Sequence, residues 1–476
     1  MAHRTAGHTK RWWIIASTSM GAIMGPLDGS ILNIALPAIA SEFQAPLRSL
    51  EWVVMSYLLV ASATLLIFGR MGDLYGQKRI YIAGFAVFTV GSFACSLAPN
   101  ISSMVAFRVV QALGASMMIA MGPAIITRVF PPTERGMALG INSMVVAVGL
   151  ASGPTLGGIL VENIGWRSIF WINVPIGLLA IVWAWRVLPE GGRDARERFD
   201  ILGAALFFVA LFGLLMAASN GPALGWSSPA ILTLVAVSGA AFALFLWTER
   251  IVPAPMVDLS LFRNRVFVSA AVSCLLNFMA QNTVTFLMPF YLQNAMAYSA
   301  REAGLIMSSI PVVMMFLAPI SGALSDRYGS GVLSPLGMAM TTLGVWLLSR
   351  LTLASSTAEI LAYLLVFGLG SGLFGAPNNS ALMGSAPRNK AGVASGILAM
   401  MRNTGMVLGV ALSGAIVDAR LSLYGGGGSL AAISAVDPAA FLYAQRGALV
   451  VGTVLAGTGV LTSLVRSGKE QREAAS

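Results

Sequence analysis

Asp28, Arg108 and Arg402 are charged side chains set deep inside apolar stretches. Of the 19 acidic residues, Asp28 alone lies well within such a stretch; the others fall in connections, tails or near stretch ends. A charge held in hydrocarbon costs about 2.5–3.5 kcal/mol on insertion scales, so such a residue faces a cavity or a partner. Apolar surroundings favour the neutral acid, which suits a group that takes up and releases a proton. The competing use is structural, a carboxylate tying two helices together. A guanidinium close to Asp28 would favour the carboxylate, so the separation of Asp28 from Arg108 would tune proton release. Arg108 and Arg402 have a plainer use too, bonding backbone carbonyls at a helix kink.

Other chemistry is thin. The only histidines, His3 and His8, sit in a basic tail, and Cys95 and Cys274 each lie in an apolar run. That pattern fits packing cysteines better than a disulfide framework or a zinc site. No metal cluster, Ser/His/Asp arrangement or phosphate-cradling loop can be assembled. The expectation is therefore no enzyme, no metal, no cofactor and no ATP-driven pump, with energy drawn from an ion gradient or from the substrate. Uncharged polar residues in apolar runs are the candidates for a substrate cavity: Asn33, Tyr57, Gln111, Asn142, Asn277, Gln281, Asn378 and Asn379, with Arg402 beside them. They serve equally well as hydrogen-bonding glue between helices. The 25 methionines suit an adaptable pocket or lipid-facing filler.

The elements that must hold these groups are membrane helices. Hydrophobic residues are 57% of the chain, charged residues 10%, and mean hydropathy is +0.80; soluble domains carry about 25% charge. A crossing helix needs about 20 apolar residues. Fourteen runs qualify: 12–36, 52–69, 80–98, 102–125, 136–161, 167–187, 200–218, 229–248, 266–293, 302–324, 331–350, 359–384, 391–417 and 443–466. The first follows a basic start (Arg4, Lys10, Arg11) but is too long for a signal-peptide core. With the N-terminus inside, the outer segments hold only Arg48, Arg167, Arg301, Arg350, Arg420 and Arg446. All other Lys and Arg, save Arg108 and Arg402, fall inside, which predicts both termini in the cytoplasm. The same bias accounts for the net charge of +10 without nucleic acid.

The chain also repeats itself. Asp73, Tyr75 and Gly76 after the second run match Asp326, Tyr328 and Gly329 after the tenth, and Ala138, Gly140 and Ile141 match Ala394, Gly396 and Ile397. Duplicated halves are a common plan in secondary transporters. The predicted organisation is an N-terminal six-helix bundle over 1–190, two inserted helices with linkers over 191–262, and a C-terminal six-helix bundle over 263–476. The longest connection, about 418–442, contains Gly425 to Gly428.

At this point the motifs name a family. Leu27-Asp28-Gly29-Ser30 through Pro37 resembles the first-helix signature of the 14-helix drug:proton antiporter branch of the major facilitator superfamily. Gly69, Asp73, Gly76, Lys78 and Arg79 resemble the superfamily's cytoplasmic loop motif, with Leu74 where a basic residue is usual and Gln77 as a second departure. Arg108, Gln111 and Gly114 resemble the fourth-helix motif. Gly149, Gly153, Pro154, Gly157 and Gly158 resemble the antiporter motif of the fifth helix. The resemblance spans nearly the whole chain. It implies proton coupling through Asp28 and Arg108, a conformational latch at Asp73, and exchange rather than uniport.

The expected protein is thus a multi-pass protein of the cytoplasmic membrane, driven by the proton gradient, that exports a small lipophilic substrate such as a drug. The motifs leave open a dedicated exporter of one metabolite or natural product. A non-transporting membrane sensor or assembly partner is the remote alternative, and a periplasmic adaptor is compatible with the sequence.

Overall fold

The structure, a computed structural model, describes residues 2–43, 47–190, 199–252, 255–257, 259–298, 300–423 and 438–473. The charged linker at 191–198 and the Gly425 to Gly428 run lie outside the described residues. In lipid every backbone amide must find its partner within the chain, which leaves helices as the spanning elements here. The chain runs through α1 (Ala2–Phe43), α2 (Leu47–Tyr75), α3 (Gln77–Ser96), α4 (Ile101–Val129), α5 (Pro132–Asn163), α6 (Ser168–Trp171), α7 (Asn173–Val187) and α8 (Ile201–Leu224). It continues through α9 (Pro229–Ile251), α10 (Arg265–Phe290), α11 (Ala300–Met307), α12 (Ser309–Tyr328), α13 (Ser330–Leu348), α14 (Thr357–Ser385), α15 (Ala391–Leu423) and α16 (Pro438–Glu473).

Among the described residues, 13 stretches are long and apolar enough to cross a membrane. The apolar run within α1 adds one more, and the protein is an all-α, 14-helix membrane protein. Two of the spans are broken: α6 leads into α7, and α11 into α12. Another span extends α10 through a π-helical turn at Tyr291–Ala295.

Local signals set the helix ends. Asn100 caps α4, its side chain accepting from the Ser103 amide while the Ser103 hydroxyl serves the Asn100 amide. Ser228 caps α9 ahead of Pro229, where a missing N–H costs nothing. Gly76 between α2 and α3, and Gly329 between α12 and α13, have φ of 100° and 86°. This left-handed region favours glycine, so both copies of the repeated loop need that residue.

Side chains exposed on the outside of the bundle are large and apolar, among them Leu179, Trp185, Trp247, Leu305, Phe316 and Leu461. Hydrocarbon, not water, is the solvent that tolerates them. The buried cores show how the halves meet. One cluster, at the end carrying Arg11, joins Leu59, Leu66 and Leu139 to Leu382, Ala394 and Ile397, with Phe207 and Leu211 of α8. Towards the opposite end the cores are separate. Leu27, Ile31 and Trp166 belong to the N-terminal half, and Leu276, Tyr291 and Phe441 to the C-terminal half. The two bundles share a floor at the basic end, and above it each packs a core of its own; the space between those cores is the cleft. Helices α8 and α9 pack on each other, and α8 also touches α2 and α15.

Candidate functional site

Arg108 and Gln111 lie three residues apart on α4, on one helix face. That face meets α1, which brings Asp28. Asn173 opens α7 and Ser92 lies on α3. A Cβ at Gly91 would sit 2.7 Å from the Gln111 amide nitrogen, so the bare glycine lets α3 and α4 approach at the level of the site.

The Asp28 carboxylate is fully engaged. Oδ2 accepts from Arg108 Nη1 at 2.5 Å, and Oδ1 accepts from Gln111 Nε2 at 2.9 Å and Asn173 Nδ2 at 3.0 Å. Asn173 Nδ2 also donates to Ser92 Oγ at 3.0 Å, and that hydroxyl donates to the Phe170 carbonyl at 3.0 Å. Arg108 Nη1 reaches Gln111 Oε1 at 2.7 Å, and Nε donates to the Val53 carbonyl at 3.2 Å. The guanidinium carbon lies 4.3 Å from the Tyr57 ring centroid, a cation–π contact. The side chains of Asp28 and Arg108 are each 1% exposed. An ion pair so far from water persists only with good geometry and its remaining polar atoms bonded, and Gln111, Asn173, Val53 and Tyr57 supply that. The Tyr57 hydroxyl and Asn173 Oδ1 lack partners. The set can hold one negative charge against one positive charge, with uncharged donors left to orient the carboxyl when a proton arrives.

The five-residue glycine-proline motif packs α5 on α1 beside this site. A Cβ on Gly149 would meet Ile23, on Gly153 the Ser30 side chain, and on Gly157 Ile31; Gly158 has open space. Ser30 Oγ donates to the Gly149 carbonyl at 3.2 Å. The Pro154 side chain is outside the described residues.

At the basic end, Asp73 reaches across the halves. Its Oδ1 accepts from the Gly392 amide at 2.7 Å and its Oδ2 from the Val393 amide at 2.9 Å. These amides belong to the first turn of α15, where N–H groups have no helical partner and the helix dipole favours an anion. Gly69 stands so close that its own Cβ would collide with the Gly392 carbonyl. Asp326 does the same in the other direction, accepting from the Gly136 amide at 2.8 Å and the Met137 amide at 2.9 Å. Lys78 lines a cavity of about 180 Å³ with Gln77, Arg128, Leu188 and Glu190, and Arg79 is exposed.

The remaining cavity candidates scatter. Asn378 donates to the Ala270 carbonyl at 3.1 Å, a helix-joining bond. Gln281 Nε2 lies 3.7 Å from Met314 Sδ. Asn142 and Asn277 each hold an Oδ1 without a partner. Asn379 is half-buried, and the Asn33 side chain lies outside the described residues. Arg402 is half-buried and, among the described residues, donates only from Nε, to Asn403 Oδ1 at 3.4 Å. Sequence reasoning did not single out Asn173 or Ser92, and it took Asp326 as a repeat match rather than a bridge. Uncharged polar residues near span ends carry no composition signal, and the repeat at Asp326 was the cue for the second bridge.

A family model described as Major Facilitator Superfamily matches residues 18–410. The riboflavin transporter RibZ of Clostridioides difficile is 37% identical over 408 residues, 84% of this chain and 87% of that protein. The multidrug resistance protein Stp of Mycobacterium tuberculosis is 34% identical over 409 residues, 86% of this chain and 76% of that protein. Among solved structures, the proton:xylose symporter XylE superposes with a TM-score of 0.66 at 14% identity, covering 94% of this chain and 95% of that one.

Proposed function

From the premise that the chain belongs to the major facilitator superfamily and is a multi-pass membrane transporter, we propose that it is a proton-coupled antiporter exporting small lipophilic organic compounds across the cytoplasmic membrane. The observation that carries the reading is the Asp28 carboxylate, buried mid-span and held by Arg108, Gln111 and Asn173. A carboxyl group with a ready cation and two uncharged donors has a defined position with or without its proton. Asp28 takes a proton from the outside, and its release inside accompanies substrate loading. No cofactor enters; the proton gradient drives the cycle, with protons, substrate and the bilayer as partners.

The Asp73 and Asp326 bridges act in this reading as paired latches. Both close the basic end, which the Lys and Arg distribution assigns to the cytoplasm together with both termini. The described arrangement is then an outward-facing state, with the cleft between the halves open away from the cytoplasm. Opening inward requires both carboxylates to leave their helix amides, a rocking of one half against the other. The five-residue glycine-proline motif keeps α5 tight on α1 through that motion. Similarity to a riboflavin transporter favours a second reading, a carrier dedicated to a single metabolite; similarity to a multidrug resistance protein favours several drugs.

The test is proton release on substrate addition. Purified protein in weakly buffered detergent is challenged with lipophilic cations, neutral antibiotics, riboflavin and organic anions, beside Asp28→Asn. Release by the wild type and not by the variant supports exchange at Asp28. Full proton-driven export by Asp28→Asn in vesicles refutes it, and a response to riboflavin alone favours the single-metabolite reading.

A further inference from the structure

We propose that Arg402 is the anion-recognising group of the cleft, so that the compounds this chain moves carry a carboxylate, sulfonate or phenolate oxygen. The proposal rests on the transport reading above and adds a substrate class to it.

The two mid-span arginines differ in what surrounds them. Arg108 spends its donors on Asp28, Gln111 and the Val53 carbonyl, and its face on Tyr57. Arg402 has one hydrogen bond, to its own neighbour Asn403 at 3.4 Å. Among the described residues no carboxylate pairs with it, and its two terminal nitrogens have no acceptor. A guanidinium is charged at any working pH and offers a planar fork of donors. Within a membrane span an uncompensated fork needs water or an anion.

Its place in the fold says which. Ile397 and Leu398, five and four residues earlier on α15, belong to the shared floor. Val417 and Leu421, further on, belong to the separate core of the C-terminal half. Met400, Met401 and Val407 pack only partly buried against the floor, so Arg402 stands at the floor's upper edge, below the level where the cores separate. Along its length α15 touches α2, α4 and α8 as well as α10, α14 and α16. A half-buried residue on a helix so enclosed opens inward rather than onto lipid. Leu398, Gly405 and Gly409, at helical spacing from Arg402, meet Cys274, Leu275, Phe278 and Met279 of α10, so Arg402 shares the α10-facing side of α15. On α10, Asn277 holds a buried Oδ1 without a donor. A planar fork beside apolar and aromatic side chains suits an aromatic anion, which it grips through two parallel bonds. Asp28 and Arg108 neutralise each other, so Arg402 leaves the polar groups of the cleft with net positive charge.

The test compares two xanthene dyes of similar size, anionic fluorescein and cationic rhodamine 6G, by fluorescence anisotropy on the purified full-length protein. The wild type should bind fluorescein more tightly. Arg402→Gln should weaken fluorescein about tenfold or more while rhodamine 6G holds or gains, and Arg402→Lys should recover part of the loss. Asp28→Asn should keep the dye preference even where it abolishes proton exchange, which separates failure of this proposal from failure of the antiport reading. A wild type that prefers rhodamine 6G or fails to bind fluorescein overturns the proposal. So does an Arg402→Gln protein that binds both dyes as before or loses both equally. Should Arg402→Gln not fold, the wild-type preference and Arg402→Lys decide, with an unchanged fluorescein affinity and preference in Arg402→Lys counting against the fork.

Discussion

Replacing Asp28 by Asn removes the carboxylate that faces Arg108 at 2.5 Å, with both side chains 1% exposed. The isosteric amide cannot satisfy its surroundings. With Nδ2 towards Arg108, donor faces donor; turned the other way, Nδ2 faces the donors of Gln111 and Asn173. Breaking a buried pair by removing one member costs about 3–5 kcal/mol, because the other charge stays buried. Tyr57 and the Val53 carbonyl still hold the guanidinium, which places the expected cost near the lower bound, about 3 kcal/mol. Arg108→Gln should cost a similar amount by stranding the carboxylate. The double variant removes both charges and should be no worse than either single one, a coupling of about 3 kcal/mol or roughly a hundredfold in the unfolding equilibrium. The assay is unfolding in mixed SDS–detergent micelles, followed by tryptophan fluorescence, for all four proteins. Losses that add within about 0.5 kcal/mol would refute the reasoning, since independent sites add to that precision.

Asp73→Asn and Asp326→Asn each replace a carboxylate that accepts two amides across the halves; with charge-assisted bonds near 1.5–3 kcal/mol each, either should shift the population at least tenfold towards opening at the basic end. Spin-label distances across that end should lengthen in each single variant and further in the double. Past the apolar run of α1, the hydrogen bonds from Arg167 and then Trp166 hold the Glu42 carboxyl below the ordinary glutamate range. A lowered value stabilises the fold above that range, and the contribution is lost as pH falls beneath it; exposure keeps it small. Trp166 emission, taken as the difference from Trp166→Phe, should change on acidification in the wild type and stay flat in Glu42→Gln.

How much of this was legible beforehand depends on what carries a signal in one dimension. Long apolar runs announce helices because hydrocarbon demands them, so the 14-helix all-α fold followed from composition and length. Asp28 and Arg108 stood out because a charge in an apolar run is rare. Their pairing did not, since positions 80 residues apart meet only through the packing of α1 on α4. Gln111 appeared as a cavity candidate, but its role in holding Asp28 needed the fold. Asn173 looked like any polar residue near a membrane boundary. The partners of Asp73 and Asp326 are backbone amides in the first turn of α15 and the second turn of α5, which no side chain at Gly392, Val393, Gly136 or Met137 advertises. Which end of the cleft is shut was equally invisible, because either state uses the same residues. The breaks at Ile172 and Ser308 fall inside runs that read as continuous, hydropathy being blind to a local turn.

The placing of α8 has a consequence for the shape of the molecule in the bilayer. The two halves meet along two matching seams, α2 against α15 and α5 against α12. Helix α8 lies over the first, touching both of its members, while neither α8 nor α9 has an extended contact with α5 or α12 among the described residues. In the membrane plane the molecule is therefore lopsided: one seam is weatherproofed against lipid tails and the other is bare. The bare seam is closed by its own backbone instead: at Gly136, Gly140 and Gly322 the two helices come so near that a Cβ would meet the facing main chain, so one flank of the molecule is thick and the other thin and tight.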